Sequence, residues 1–110
     1  MNDRKLREKT ANLAAGCAPS VGTKLPNAFG LFDMHGSISE WCQDWYAAKL
    51  PGGTDPQGAP HGSHRVNRGG SWNLSPLFCS SSYRVYESPD FRSFFVGFRV
   101  AAIREPHDNR

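Results

Sequence analysis

The chain has 110 residues and a mass of 12.2 kDa, which bounds it to at most one domain with one modest hydrophobic core. Its formal charge of +3 comes from scattered Lys and Arg, which argues against a nucleic-acid face, and no apolar run reaches the roughly 18 to 20 residues of a membrane-spanning helix. Apolar content of 38%, with 11 Gly and 8 Pro, disfavours long helices between residues 16 and 96 and favours a loop-rich fold of short strands.

The N-terminal run MNDRKLREKT is charged and lacks a following apolar segment, so it does not read as a signal peptide. The default compartment is then the cytoplasm. Residues 3 to 15 carry only Leu6 and Leu13 as sizeable apolar anchors, too thin a stripe for a well-packed amphipathic helix. Residues 1–20 are therefore expected to form a poorly ordered leader.

Pro26 and Asn27 turn the chain into NAFGLFDMHGSISEWCQDW, residues 27–45. Phe29, Phe32, Trp41 and Trp45 make this run a natural core nucleus, because each ring buries a large apolar area. Asp33 and Glu40 flank a tight turn at Gly36, and two hard oxygen donors on such a bend also form a plausible cation cradle. The two readings are compatible. Ser37 to Glu40 has the spacing of a capping box and would start a helix. Against it, Trp41, Gln43 and Trp45 alternate with Cys42 and Asp44, which predicts an extended segment.

Residues 49–64 are rich in Pro and Gly and read as a long surface excursion of the kind that is often functional. Arg65 to Trp72, RVNRGGSW, predicts a short strand broken at Gly69-Gly70, with Ser71 exposed at the bend. A short strand is expected within 83–86, a turn at Ser88-Pro89-Asp90, and a terminal strand over GFRVAAI, residues 97–103, built on Phe98, Val100 and Ile103. Residues 104–110 are expected to be a disordered tail. Cys17, Cys42 and Cys79 contain no CxxC pair; they read as bystander thiols, or as one Cys42–Cys79 disulfide with a thiol left over. His61 and His64 lack an acid on the same element, which disfavours an iron triad, and Ser71 has no nucleophile elbow.

Taken in order, PNAFGLFDMHG, SEWCQDWY, RVNRGGSW, CSSSYR and GFRVAA resemble the C-terminal half of the formylglycine-generating enzyme (sulfatase-modifying factor) family. The resemblance runs from about Val21 to Ala102. It implies an α+β fold, a C-type-lectin-like variant that is loop-rich with short strands and incomplete here, with residues 21–103 as the C-terminal portion of the domain. It also implies oxidation of a sulfatase cysteine to formylglycine with copper and oxygen, and a peptide or protein substrate such as a sulfatase; the charge pattern and the lack of a long apolar run separately lead to the expectation of no nucleic-acid or membrane partner.

Carried over residue by residue, the resemblance implies a structural Ca²⁺ held by the side chains of Asp33 and Glu40 and the carbonyls of Gly36 and Ile38. Ser37 stands where the family usually has Asn. It further places Ser71, Cys79 and Arg84 at active-site positions, with Cys79 as a copper ligand. The other member of the family's copper cysteine pair falls on Leu74, and one thiolate does not make a two-coordinate Cu(I) site. Ser71 and Arg84 read equally as a turn hydroxyl and a structural Arg paired with an acid such as Asp90. The oxidase reading therefore stands beside a non-catalytic, Ca²⁺-stabilised peptide- or protein-binding module. A further expectation is that the fragment does not fold alone, its core partner strands being absent. Arg99 is expected to pair with an acid across the sheet.

Overall fold

The protein is described by a computed structural model over residues 18–104. Most of the expected leader and all but the first residue of the expected tail lie outside the described residues. The framework is a four-stranded mixed sheet: β1 (Ser39–Trp45), β2 (Arg65–Arg68), β3 (Val85–Glu87) and β4 (Val96–Gly97), with a 3-10 turn at Pro76–Cys79 between β2 and β3. The strand order is β3-β2-β1-β4. β1 and β2 are antiparallel, as are β2 and β3. β4 runs parallel to β1, with Ser39 opposite Val96 and Glu40 opposite Gly97.

β1 is extended and not helical, and the backbone at Ser37 explains why the capping-box spacing fails. An N-cap residue occupies the β region, whereas Ser37 has φ +66°. The alternation along β1 is itself interrupted. Trp41 faces Asn67 but Trp45 faces Arg65, a register shift that marks a bulge. Tyr46 N–H continues the pairing to the His64 carbonyl at 2.8 Å.

RVNRGGSW ends β2 as its glycines require. Gly69 and Gly70 have φ +94° and +72°, a region where a side chain is strained. A Cβ on Gly70 would lie 2.5 Å from Cys79 Sγ and 3.0 Å from the Phe78 carbonyl. The bare backbone thus lets the 3-10 turn settle directly on it. Gly36 N–H donates to the Gly69 carbonyl at 2.7 Å, and Trp72 N–H to the Ser37 carbonyl at 2.8 Å. These two bonds lash the 33–40 bend to the end of β2.

The interior differs from the expected one. Val66 and Cys79 are the buried apolar residues among those described, together with polar Ser37, Ser39, Asn67 and Ser71. The aromatic run is no buried nucleus: Phe29 and Phe32 are exposed and Trp41 and Trp45 are half-buried. Trp45 is covered instead by the Arg65 guanidinium, 3.6 Å above its ring. The terminal strand also stops early. Only Val96–Gly97 is paired, and Phe98, Val100 and Ile103 stand exposed, because no strand lies alongside them among the described residues. Cys42 and Cys79 are not joined by a disulfide.

The 49–64 excursion is exposed but anchored. Gly58 sits where a Cβ would come 2.6 Å from Asp44 Cβ, and Gly62 where one would come 3.0 Å from Trp45 Cβ. At its start, Tyr46 stacks on Tyr86 with ring centroids 4.1 Å apart.

Candidate functional site

Three left-handed residues shape the bend: Asp33 (φ +57°), Gly36 (φ +84°) and Ser37 (φ +66°). They turn the chain so that Asp33, Ile38 and Glu40 line one cleft of 550 Å³ with Phe98 and Arg99. The two carboxylates predicted from sequence therefore do share one side of the molecule. Asp33 Oδ2 accepts from Gly22 N–H at 2.8 Å. Glu40 is gripped by Arg99, whose Nε lies 3.2 and 3.0 Å from Oε1 and Oε2 and whose Nη2 lies 3.0 Å from Oε1. The same Nη2 donates to the Phe32 carbonyl at 2.8 Å. These hydrogen bonds to Glu40 raise the Arg99 pKa against partial burial, and the charges of Glu40 and Asp33 add to the effect. The acid that Arg99 was expected to find is thus Glu40.

Arg99 now supplies the positive charge between the two acids. The donor chemistry is that of a hard cation, two carboxylates on a bend of main-chain oxygens. A cation held there would have to compete with the guanidinium for Glu40. No group of three or more His, Cys, Asp or Glu residues suited to a metal occurs among the described residues, so further ligands would be carbonyl or hydroxyl oxygens. His35 is tied to the other side of the bend, its Nδ1–H donating to the Cys79 carbonyl at 2.6 Å.

Ser71, Cys79 and Arg84 are held in structural contacts. Ser71 is buried, not exposed as predicted, because the turn after Gly70 folds it inward and its hydroxyl donates to Asn73 Oδ1. Cys79 is 1% exposed and lies against Gly70. Arg84 donates to the carbonyls of Ala47 (2.9 Å) and Ala48 (3.4 Å), and stands 5.1 Å over Tyr46. Its partners are main-chain carbonyls; the role of a structural Arg holds, with Asp90 uninvolved. Asp90 is instead hydrogen-bonded by the Ser88 hydroxyl, which lowers its pKa. Leu74 N–H closes a turn onto the Ser71 carbonyl at 3.1 Å. A leucine on one side and a covered thiol on the other do not fit a two-thiolate copper centre.

A second cleft, of 410 Å³, was not anticipated from the sequence. Met34, Trp41, Cys42, Arg68 and Val100 line it, and it shares Glu40 and Arg99 with the first. The only signal for it was the juxtaposition of SEWC with GFRV, which no local pattern reveals. Burial raises the Cys42 pKa, Asp44 and Glu40 add to it, and Arg68 opposes them. The thiol therefore stays protonated, which suits a packed wall and not a nucleophile.

The short-stranded sheet, the Gly-Gly knot and the acid-bearing bend define a class, the sulfatase-modifying-factor type of domain. The chain belongs to the sulfatase-modifying factor enzyme 1-like (FGE-sulfatase) domain family, whose family model matches residues 4–104. It is 34% identical over 104 residues to serine/threonine-protein kinase pkn1 of Chlamydia pneumoniae, covering 88% of this chain and 16% of the kinase. It is 35% identical over 96 residues to the formylglycine-generating enzyme of Thermomonospora curvata, covering 79% of this chain and 31% of the enzyme. Among solved structures it resembles Treponema denticola variable protein 1, with a TM-score of 0.77 and 36% identity over 88% of this chain and 37% of that one. The chain thus spans less than a third of the two sequence relatives' length.

Proposed function

We propose that the chain is a divergent C-terminal portion of a formylglycine-generating-enzyme-like domain that holds a peptide or protein segment and does not by itself oxidise cysteine. The observation that carries this reading is the burial of Cys79 under Gly70 with Leu74 at the other copper position. The clefts on either side of the Glu40–Arg99 pair offer the binding surface. They have apolar walls with a charged centre, the composition of a ligand site. The family relation supports a peptide or protein such as a sulfatase as the class of partner.

The test is to incubate the chain with Cu(I), oxygen and a Cys-x-Pro-x-Arg peptide, and to follow peptide mass. No conversion is expected. Aldehyde formation that disappears in a Cys79→Ser variant would overturn the reading.

Within this function the bend binds Ca²⁺ structurally, through the carboxylates of Asp33 and Glu40 with the main-chain oxygens of Gly36 and Ile38. The ion draws Glu40 from Arg99 and fixes the left-handed backbone. Calcium is expected to raise the melting temperature of the wild type, and to leave Asp33→Asn and Glu40→Gln unaffected. Absence of both a thermal shift and a calorimetric heat in the wild type would remove calcium from the account.

A further inference from the structure

We infer that the cavity between β1 and the 49–64 excursion is a binding site for a free amino acid with an apolar side chain, distinct from the clefts beside the Glu40–Arg99 pair. Asp44 and Arg68 supply its two charges, and Leu50, Pro51 and Pro56 its apolar wall. Its volume of 400 Å³ falls within the ordinary range of small-molecule sites.

The excursion is shaped to form such a wall. Pro51 and Pro56 each fix their own φ, and Gly52, Gly53, Asp55 and Gly58 are left-handed, at φ +67°, +103°, +46° and +82°. The chain between Pro51 and Gly58 is therefore curled and not extended. Its return limb is pinned to the sheet by the bridge between Ala59 and Trp45. Gly58 packs so closely that a Cβ there would come 2.6 Å from Asp44 Cβ. On the sheet side, the Arg65 guanidinium donates to the Gln43 carbonyl. Both walls are thus held before any ligand arrives, which lowers the ordering cost of binding.

The ligand follows from two charges that find no counter-charge among the described residues. Asp44 is half-buried, and its carboxylate has neither a hydrogen bond nor an ion pair among those residues. Arg68 uses one donor, Nη1, on the neutral Ser81 carbonyl at 2.7 Å, and no ion pair joins it to Asp44. Both charges reach Cys42: behind the larger effect of burial, Asp44 raises its pKa and Arg68 lowers it. One unmatched charge of each sign at the wall of one cavity is complementary to a zwitterion. Its ammonium meets Asp44 and its carboxylate meets the open side of the Arg68 fork. A ligand with a single charge leaves one of the two unmatched. Leu50 and the two prolines then favour an apolar side chain. The inference does not rest on the proposed peptide site, since the cavity shares only Arg68 with the 410 Å³ cleft and no residue with the other.

The test titrates the 110-residue chain with L-leucine, N-acetyl-leucine and leucine amide, followed by calorimetry and by two-dimensional amide NMR. Leucine is expected to bind about 10-fold more tightly than either capped form, because each cap removes one charged hydrogen bond. The shifted signals are expected at the Gln43 and Gln57 side-chain amides and at Gly58. Asp44→Asn should erase the preference for leucine over N-acetyl-leucine, and Arg68→Gln the preference over leucine amide. These preferences are ratios read within each variant, so a general loss of stability does not mimic them. Val100→Lys, in the neighbouring cleft, should change neither ratio. No binding of leucine, a capped form that binds as well as leucine, or preferences unchanged in both variants would each overturn the inference. Shifts confined to Met34, Trp41 and Val100 would overturn it too, by placing leucine in the other cleft.

Discussion

The knot around Gly70 and the rim beyond β4 obey opposite rules. In the knot, small and polar side chains are buried: Ser37, Ser39, Asn67, Ser71 and Cys79. At the rim, Phe94, Phe98, Val100 and Ile103 face solvent. A self-sufficient globule of this size does the reverse with its large apolar groups, since burying one is worth about 1.5 to 3 kcal/mol. The knot owes its shape to backbone hydrogen bonds and glycine geometry.

The largest expected effect is at the knot. Gly70→Ala combines a left-handed backbone (φ +72°) with a Cβ 2.5 Å from Cys79 Sγ, and is expected to destabilise by about 3 kcal/mol. Gly30→Ala has a similar φ of +76° but open space around it, and should cost about 1 kcal/mol. Urea unfolding followed by circular dichroism compares them, and equal losses would show the knot to be no tighter than a surface turn.

Next comes the clamp between the two regions. Arg99→Ala removes the forked contact to Glu40 and the bond to the Phe32 carbonyl. Because the pair is partly exposed, the loss should be about 1 kcal/mol. Arg99→Lys should recover less than half, since an ammonium cannot reproduce the fork. Full recovery in the same unfolding assay would reduce Arg99 to a simple counter-charge.

Asn67 tests the knot from the opposite direction. It is buried, and neither of its amide atoms has a hydrogen-bond partner. Asn67→Leu, close to isosteric, is expected to stabilise by about 1 kcal/mol because the uncompensated desolvation disappears. A loss of stability instead would reveal a buried partner for the amide.

At the rim, Val100→Lys in the chain alone should stay within about 0.5 kcal/mol of wild type, despite its apolar-to-charged character. A larger loss would mean that the rim already packs on something in solution. The smallest effect is one of pH. The raised folded-state pKa of Cys42 makes the folded protein hold a proton that the unfolded chain releases. Its contribution is thus intact below about pH 9 and declines as pH rises towards the folded value. Iodoacetamide labelling of Cys42 at pH 8 should accordingly be slow in the native protein and fast in urea.

Much of the local structure was legible in the sequence. The Gly69-Gly70 break, the turn at Ser88-Pro89-Asp90 and the placing of β2 and β3 follow from residues that restrict their own backbone. The order of motifs from PNAFGLFDMHG to GFRVAA pointed to the family, and the two acids that flank the turn at Gly36, Asp33 and Glu40, line one cleft. What failed did so where a distant partner decides. A capping-box spacing could not foresee that a bond from Gly36 N–H to the Gly69 carbonyl and one from Trp72 N–H to the Ser37 carbonyl would flank a left-handed Ser37. Ser71 was expected outside and is inside, because the turn after Gly70 folds it inward onto Asn73.

By itself, then, the sequence determined the punctuation of the chain, its family and the residue types available at the bend. Only the tertiary structure decided that Arg99 takes Glu40, a contact across 59 residues, and that Cys79 is buried beneath Gly70. It also decided that the strand-like FRVAAI has no strand paired with it among the described residues. The physical reason is the range of the forces involved. Backbone dihedral preferences act over one or two residues, whereas ion pairs, close packing and strand pairing depend on which remote segment arrives opposite.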